Sequence, residues 1–327
     1  MSQTIRWVII GLGSIAHKFA ADLLIAENAF LKGVASRSES KAKEFADLYN
    51  VKQYYSNYEL LAQDENIDII YIATPNTYHF ENTMMCFKHN KSVLCEKPMG
   101  VNSREVKAMI REAQSRDLFL MEGIWTRFIP AIQKLLELMK GNQIGDIISV
   151  DANFGFRKEF DAESRLFNKQ LGGGSLLDIG IYPIYISFLA LGFPADIKAM
   201  ARMTNTQVDR SCSMLFHYEN NSKAQLLSTF EANTTNEAFI YGTKGKIKLH
   251  APFHQPQQIT LFNYDGQQQD FKIPYRGNGY VHEIEAVNQC LQQKLNENPQ
   301  LSLANSLSIY QIIEAVKKQI GLSYDPD

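Results

Sequence analysis

Short apolar runs alternate with amphipathic stretches along the chain up to about residue 120. Each run is too short for a helix and is followed by apolar positions three or four apart, a pattern that predicts strands alternating with helices. Strands that are apolar throughout are typical of a parallel sheet covered on both faces. We expect strands at Ile5–Ile10, Leu31–Ala35, Ile69–Ala73, Ser92–Cys95 and Leu118–Met121. The helices between them are expected at Ser14–Ala26, Ser40–Tyr49, Thr77–His89 and Ser103–Ser115, with Ser40 and Ser103 as N-caps.

The pattern changes after residue 122. A helix is predicted at Ala131–Lys140, a strand at Ile147–Phe156 and an apolar helix from Ser175 to about Leu191. Period-two alternation and glycine turns then predict antiparallel hairpins. Their strands are expected at Ser213–Tyr218, Ala224–Phe230, Ala238–Tyr241, Lys246–His250 and Ile259–Phe262, before two helices at Tyr280–Lys294 and Leu303–Ile320. The predicted fold is a doubly wound α/β Rossmann domain over residues 1–122 and an α+β domain with a mostly antiparallel open sheet over residues 123–327.

Composition narrows the classes of function. A length of 327 residues favours two domains, and a formal charge of −2 gives no basic surface for nucleic acid or an anionic membrane. The four cysteines lack CxxC spacing, so they predict neither a zinc site nor a disulfide framework. The N-terminus carries no basic leader before a cleavable apolar run. We therefore expect a soluble cytoplasmic protein with no metal.

A glycine-rich turn follows the first predicted strand. Gly11 to Ala16 reads GLGSIA, which is G-x-G-x-x-A between a strand and a helix. Gly11 allows a tight turn, Gly13 lets a pyrophosphate approach the backbone, and the helix N-terminus at Ser14 and Ile15 attracts its charge. The alternative is an ordinary glycine turn. The position of the motif favours a nucleotide site.

The end of the second strand indicates which dinucleotide binds. An NAD site usually places an acidic residue there for the ribose 2′-hydroxyl, but this chain has Ser36 and Arg37. Arg37 could give a charge-assisted contact to a 2′-phosphate, which favours NADP and leaves NAD possible. The alternative is a solvated loop arginine.

Two further strand ends carry polar residues. Thr74, Pro75 and Asn76 follow the third main strand and are expected to line the crevice near the nicotinamide, where His79 packs as a helix N-terminal residue. The strand from Ser92 runs directly into Glu96 and Lys97. Because burying an unpaired charge is costly, Lys97 faces either a crevice or solvent.

These motifs, in this order and spacing, resemble the Gfo/Idh/MocA oxidoreductase family. The segments that carry the resemblance are GLGSIA, ATPNTYH, the strand-end EKP, MEGIWTRF at residues 121–128 and LGGGSLLDIGIY at residues 171–182. The resemblance covers nearly the whole chain. It is strongest to the branch with dimeric dihydrodiol dehydrogenases and NADP-dependent xylose dehydrogenases.

The resemblance implies a Rossmann domain and an open C-terminal sheet that mediates homodimer or homotetramer formation. It also implies that Lys97 is the catalytic-pocket lysine, that Pro98 is cis, that Tyr182 is the acid/base residue and that Asp178 belongs to the site. Many sugar and inositol dehydrogenases of the family carry histidine in place of Tyr182. That difference argues against an inositol dehydrogenase.

The chemistry of an alcohol dehydrogenase is consistent with these residues. A phenol with a pKa of about 10 is a poor base near neutrality, but an ammonium group nearby lowers that pKa. Asp178 is predicted one helical turn before Tyr182, on the same helix face, and orients either a substrate hydroxyl or Lys97. The alternatives are a core aromatic for Tyr182 and a helix-dipole charge for Asp178.

Aromatic residues are candidate walls of a pocket for a sugar or a cyclic diol. Trp125, Arg127 and Phe154 are predicted to contact substrate, with Phe128 and Phe156 as further candidates, although aromatic stripes are more often core. The sequence therefore predicts an NADP-dependent oxidoreductase acting on a secondary alcohol of a sugar or vicinal diol. The alternative is a non-catalytic nucleotide-binding regulator on the same scaffold.

Overall fold

The computed structural model describes residues 3–324 and divides into two compact units. The first unit contains the chain up to Phe128 together with Tyr275–Leu307. Its core is a six-stranded parallel sheet with the order β3-β2-β1-β4-β5-β6. The strands are β1 (Ile5–Ile10), β2 (Ala29–Ala35), β3 (Gln53–Tyr55), β4 (Ile69–Ile72), β5 (Ser92–Glu96) and β6 (Leu120–Gly123). The predicted doubly wound sheet is confirmed, and its strand order reverses between β1 and β4, where such sheets bind ligands.

Two helices of this unit have their N-cap one or two residues before the residue predicted. The helices are α1 (Ser14–Leu23), α2 (Glu39–Leu48), α3 (Tyr58–Ala62), α4 (His79–Lys88) and α5 (Ser103–Ser115). The N-cap of α2 is Ser38, whose hydroxyl accepts from the Lys41 amide, and not Ser40. The N-cap of α5 is Asn102 and not Ser103. Both observed caps have extended backbone, which an N-cap requires, whereas Ser40 and Ser103 are already helical.

The second unit contains Ile129–Pro274 and the chain from Ser308 onward. It is built on an eight-stranded sheet with the order β14-β13-β12-β11-β7-β10-β9-β8, in which only β7 and β10 pair in parallel. Its elements are α6 (Pro130–Lys140), β7 (Ile147–Gly155), α7 (Ile181–Leu191), β8 (Asp196–Met203), β9 (Asp209–His217), β10 (Lys223–Thr229), β11 (Ala238–Gly242), β12 (Gly245–Leu249), β13 (Gln258–Asn263) and β14 (Gln268–Lys272). The predicted α+β class with a mostly antiparallel sheet is confirmed.

One helical stretch of this unit is unusually apolar. Lys169–Leu191 is long and apolar enough to cross a membrane by length and composition, yet 72% of its most apolar window is buried inside the protein. Burial of this kind is typical of a core helix packed on a sheet, and α7 packs on β7 and β10.

The last two helices are α8 (Tyr280–Gln292) and α9 (Leu303–Ile320), and α8 returns to the first unit. The buried carboxylate of Asp22 in α1 accepts the backbone amides of Tyr280 and Val281, at 2.8 and 3.2 Å. It therefore caps a helix that lies more than 250 residues later in the chain. The sequence predicted a single boundary at residues 122 and 123, because hydrophobic periodicity does not reveal which sheet a late helix packs against.

Three strands and the short α-helix α3 lie outside the predicted elements. The strands β3, β8 and β14 all lie at the edge of a sheet. Strand β14 is almost entirely exposed, and β3 is only three residues long. An edge strand packs against fewer neighbours and keeps polar residues on both faces, so its alternation of apolar and polar positions is weak.

Candidate active site

The glycine turn after β1 leaves room for a phosphate. Gly11 has φ +85°, and a Cβ there would lie 2.6 Å from the backbone of Ala73 and Thr74, so no side chain fits. A Cβ on Gly13 would meet nothing within 4 Å, which shows open space beside the N-terminus of α1. The backbone amides at the N-terminus of α1, beginning with those of Ser14 and Ile15, interact favourably with negative charge. The turn therefore fits the pyrophosphate of a dinucleotide.

The end of β2 presents a cationic group. Arg37 is exposed, and its guanidinium carbon lies 5.3 Å from the ring centroid of Tyr78. Ser36 is buried, and its hydroxyl accepts the amide of Ser38 at 3.2 Å. Because the aromatic face holds the guanidinium while leaving its edge accessible, this corner suits a phosphate.

His79 links the loops that follow β4 and β5. It is fully buried, with Nε2 2.8 Å from the carbonyl oxygen of Thr74 and Nδ1 2.8 Å from that of Pro98. Burial lowers the pKa of His79, and the nearby charge of Lys97 lowers it further, against the two carbonyls that raise it. Asn82 also donates to the Thr74 hydroxyl, at 3.1 Å. These contacts fix the positions of Thr74, Pro75 and Asn76.

The Glu96-Lys97-Pro98 turn is held by carboxylates. The buried Glu96 accepts the phenol of Tyr71 on one oxygen and the Lys97 amide on the other, the latter at 3.1 Å. The Lys97–Pro98 peptide is cis, as the resemblance implied.

A second carboxyl supports the next residue of this turn. Glu122 in β6 accepts the Met99 amide at 2.9 Å. Burial raises the pKa of Glu122 to about 7. The backbone on both sides of Lys97 is therefore fixed by groups inside the first unit.

In the second unit, Tyr182 lies in an aromatic pocket. It is the second residue of α7 and is 7% exposed. Its ring centroid lies 4.8 Å from that of His254 and 5.8 Å from that of Phe154, and these two rings stack on each other at 4.6 Å. A phenol packed against other aromatic rings is the arrangement expected of a site for a sugar or cyclic substrate.

Asp178 precedes Tyr182 on an unusual turn. Leu176–Gly180 is a π-helix, whereas the sequence predicted an ordinary α-helical turn. Asp178 is largely buried, and its carboxylate accepts Nη1 of Arg165 at 2.9 Å. Single π-turns are frequent at functional sites because they redirect side chains within a helix.

The three glycines before this turn are required by backbone conformation or by packing rather than by flexibility. Gly172 and Gly174 have φ of +74° and +113°. A Cβ on Gly173 would lie 2.8 Å from two backbone carbonyl oxygens, and one on Gly174 would lie 2.4 Å from Oδ1 of Asp209. Asp209 is fully buried, and its Oδ2 accepts the amide of Leu176 at 2.7 Å and the hydroxyl of Ser175 at 2.6 Å. It thereby fixes the start of the π-turn.

Two family models match this chain in the same order as its two predicted domains. Residues 5–124 match the model described as the oxidoreductase family with an NAD-binding Rossmann fold. Residues 132–248 match the GFO/IDH/MocA C-terminal domain. The chain belongs to the Gfo/Idh/MocA oxidoreductase family. The protein is therefore an enzyme with an NAD(P)-binding Rossmann domain.

The similar proteins are dehydrogenases and oxidoreductases. Trans-1,2-dihydrobenzene-1,2-diol dehydrogenase of Sus scrofa is 35% identical over 338 residues, with 99% of each chain covered. A 3-ketoreductase from Actinomadura kijaniata, solved with NADP and TDP-benzene, is 25% identical and has a TM-score of 0.87 over 97% of this chain and 98% of its own. The aldose-aldose oxidoreductase of Caulobacter crescentus shares the fold, with a TM-score of 0.88 and 22% identity over 97% of each chain.

The residues predicted to line the substrate pocket lie in different parts of the structure. Trp125 is buried in the first unit, stacked on Tyr280 with ring centroids 4.4 Å apart. Arg127 donates Nε to the carbonyl of Gln300 at 2.9 Å. Phe154 contacts Tyr182 and His254, and it also makes an edge contact to Phe156, as expected of residues on one strand face. Phe128 is buried.

Sequence reasoning missed several residues of this family's candidate site. His254 lies in the loop after β12, Asp209 starts β9, and Tyr71 lies inside β4. None of them belongs to a motif, and Tyr71 reads as one more apolar strand position. Within residues 3–324 there is no group of three or more His, Cys, Asp or Glu side chains that could hold a metal ion.

Proposed function

We propose that this protein is an NADP-dependent dehydrogenase that oxidises a secondary alcohol of a sugar or a vicinal or dihydrodiol, or catalyses the reverse reduction. The observation that carries the proposal is the ring of Tyr182, packed against the stacked rings of Phe154 and His254 in a chain whose full-length relatives are named diol dehydrogenases. Aromatic walls suit the apolar faces of cyclic diols and sugars.

In the proposed chemistry, Tyr182 and Lys97 manage the proton of the reacting hydroxyl. The bound nicotinamide supplies a hydride acceptor or donor. Tyr182 takes the hydroxyl proton during oxidation and returns it during reduction. The ammonium of Lys97 favours the phenolate and stabilises a developing alkoxide. Asp178, held by Arg165, accepts a hydrogen bond from a substrate hydroxyl and sets its orientation.

The proposed preference for NADP rests on Arg37. Its guanidinium lies over the ring of Tyr78, and Ser36 and Ser38 provide neighbouring hydroxyls. A monoanionic or dianionic 2′-phosphate would gain a charge-assisted hydrogen bond there. The other predicted coenzyme contacts are Gly11, Gly13, Ser14, Ile15, Thr74, Pro75, Asn76, His79, Glu96 and Lys97. Among them, His79 and Glu96 would act by shaping the backbone, since both side chains are buried and bonded within the protein.

The test is a spectrophotometric panel with the purified protein. NADP or NAD is mixed with pentoses, hexoses and cyclic trans-diols, and absorbance of the reduced nicotinamide is followed, with coenzyme affinity measured separately. We expect turnover with at least one class and a higher kcat/KM with NADP. Firm NADP binding with no turnover across the panel would instead support a non-catalytic regulator.

We also propose that the protein self-associates through the open face of its eight-stranded sheet. Met200 in β8 and Leu215 in β9 lie on the same face and are 80% and 49% exposed, so they offer apolar surface to a second copy of the chain. Light scattering should give a dimer or tetramer for the wild type and a smaller species for Met200→Asp.

All four cysteines are buried and free, which fits our proposal of a cytoplasmic location.

A further inference from the structure

A tyrosine that follows α9 contacts the glycine turn of the second unit. The phenol of Tyr324 donates a hydrogen bond to the carbonyl of Gly173. The ammonium of Lys317, on the last turns of α9, lies 5.1 Å from the Tyr324 ring centroid. One hydroxyl therefore ties the chain beyond α9 to the segment that leads into the π-turn.

The turn contacted by Tyr324 is tightly enclosed. A Cβ on Gly174 would lie 3.1 Å from the Tyr324 hydroxyl and 2.4 Å from Oδ1 of Asp209, so both groups lie close to the same glycine. Oδ1 of Asp209 is buried and has no hydrogen-bond partner in the described part of the chain. Its other oxygen holds Ser175 and Leu176. Tyr324 on one side and Asp209 on the other thus fix residues 173–176.

The fixed segment leads directly to Asp178. The amide of Asp178 donates to the carbonyl of Gly174 at 3.2 Å, so a shift of Gly174 moves the turn that carries the carboxylate. The backbone of Arg165 lies against the same segment, because its carbonyl oxygen would be 2.8 Å from a Cβ on Gly173. Both members of the Arg165–Asp178 ion pair therefore depend on where the glycine turn lies.

We propose that Tyr324 is a positioning residue for the active site, which holds the Gly172–Gly174 turn and thereby sets the orientation of Asp178 and of the phenol of Tyr182. This inference rests on the proposed catalytic roles of Asp178 and Tyr182. A displacement of a positioning group by about 1 Å is enough to lower a rate by up to about a hundredfold.

Tyr324 is suited to this role across the working pH range. Burial raises the pKa of Tyr324 well above its usual value, and the charges of Asp209 and Asp178 raise it further. The phenol therefore stays protonated and keeps its donor toward the Gly173 carbonyl. Phenylalanine at this position keeps the ring packing on Lys317 and removes only the hydrogen bond.

The test compares Tyr324→Phe with Tyr218→Phe in the full-length protein. Tyr218 is also buried in the second unit, and its phenol bonds the hydroxyl of Ser187, so it is a matched control for the loss of one buried hydrogen bond. Melting temperature, kcat, KM, NADP affinity and amide exchange by mass spectrometry are measured for each. For Tyr324→Phe we expect kcat to fall about tenfold, NADP affinity to stay unchanged and exchange to accelerate at residues 172–178. For Tyr218→Phe we expect only a lower melting temperature.

The outcomes separate this inference from the proposed function. Wild-type kcat in folded Tyr324→Phe, or a fall in kcat without faster exchange at residues 172–178, would overturn the positioning role. If Tyr324→Phe does not fold, the same measurements on Tyr324→Met decide, because that variant also removes the hydroxyl that bonds the Gly173 carbonyl while keeping an apolar side chain. Full turnover in Tyr182→Phe would refute the proposed chemistry, while the exchange data would still report on the contact made by Tyr324.

Discussion

Single residues of the candidate site differ in how readily their sequence context predicts them. Gly11, Arg37 and Lys97 stand at strand ends, where the topology of a parallel sheet dictates that ligands bind. His254 and Asp209 could not be predicted, because their importance comes from contacts with residues 72 and 33 positions away in the chain. Local periodicity contains no information about such contacts.

At Arg37, the coenzyme choice can be tested by one substitution. Arg37→Ala should weaken NADP binding by about ten- to a hundredfold, because a charge-assisted hydrogen bond contributes about 1.5–3 kcal/mol. NAD, which lacks the 2′-phosphate, should bind almost as before. Fluorescence titration of both coenzymes measures this, with Arg37→Lys as a control that keeps the charge. Equal losses for NADP and NAD would refute the assignment.

The buried carboxyl of Glu122 should make stability depend on pH. Its pKa is raised from the ordinary value of 4.5 to about 7, so the folded protein holds this proton more tightly than the unfolded chain does. The resulting stabilisation is complete below about pH 4.5 and is lost as the pH rises toward 7, a change of roughly 3 kcal/mol.

Glu122→Gln should remove this dependence. Urea unfolding of wild type and variant at several pH values gives the difference between their free energies of unfolding. We expect the variant to gain relative to wild type as the pH rises from about 5 to 8. Glu44→Gln, an exposed position on α2, serves as the control. A difference that does not change with pH would contradict the raised pKa.

At the level of elements, buried strands and amphipathic helices were predictable, and irregular turns were not. Strand β1 and helices α5 and α9 have the predicted bounds, because each has a strong apolar pattern and clear ends. The π-turn at Leu176–Gly180 depends on the cap from Asp209 and on two close-packed glycines, Gly173 and Gly174. A nearly continuous apolar sequence such as LLDIGIY is equally compatible with an ordinary α-helix.

Alanine substitutions at Gly174 and at Gly321 should lower the stability of the protein by different amounts. Gly174→Ala combines φ +113° with a Cβ 2.4 Å from Asp209, whereas Gly321→Ala has φ +70° and nothing within 4 Å. We expect Gly321→Ala to cost about 1 kcal/mol of stability and Gly174→Ala clearly more, with loss of activity. Thermal unfolding and turnover measure both. Equal destabilisation, with activity kept in Gly174→Ala, would contradict the close packing of the turn.

At the scale of the whole molecule, the fold class of each half followed from its hydrophobic period. The hydrophobic period did not reveal that α8 belongs to the first unit. Its place there is shown by the capping carboxylate of Asp22 and by the hydrogen bond from Trp7 to Asn288. The proposed chemistry likewise draws on residues of both units. Lys97 belongs to the first unit and Tyr182 to the second, so a test of their proposed joint action requires the complete protein.

A double-mutant cycle on Lys97 and Tyr182 tests that joint action most directly. The value of kcat/KM is measured with saturating NADP and the best alcohol from the substrate panel for wild type, Lys97→Met, Tyr182→Phe and the double variant. Because both groups are proposed to serve one proton transfer, the double variant should be little slower than the slower single variant. Losses that multiply, or a Tyr182→Phe enzyme as fast as wild type, would contradict the account.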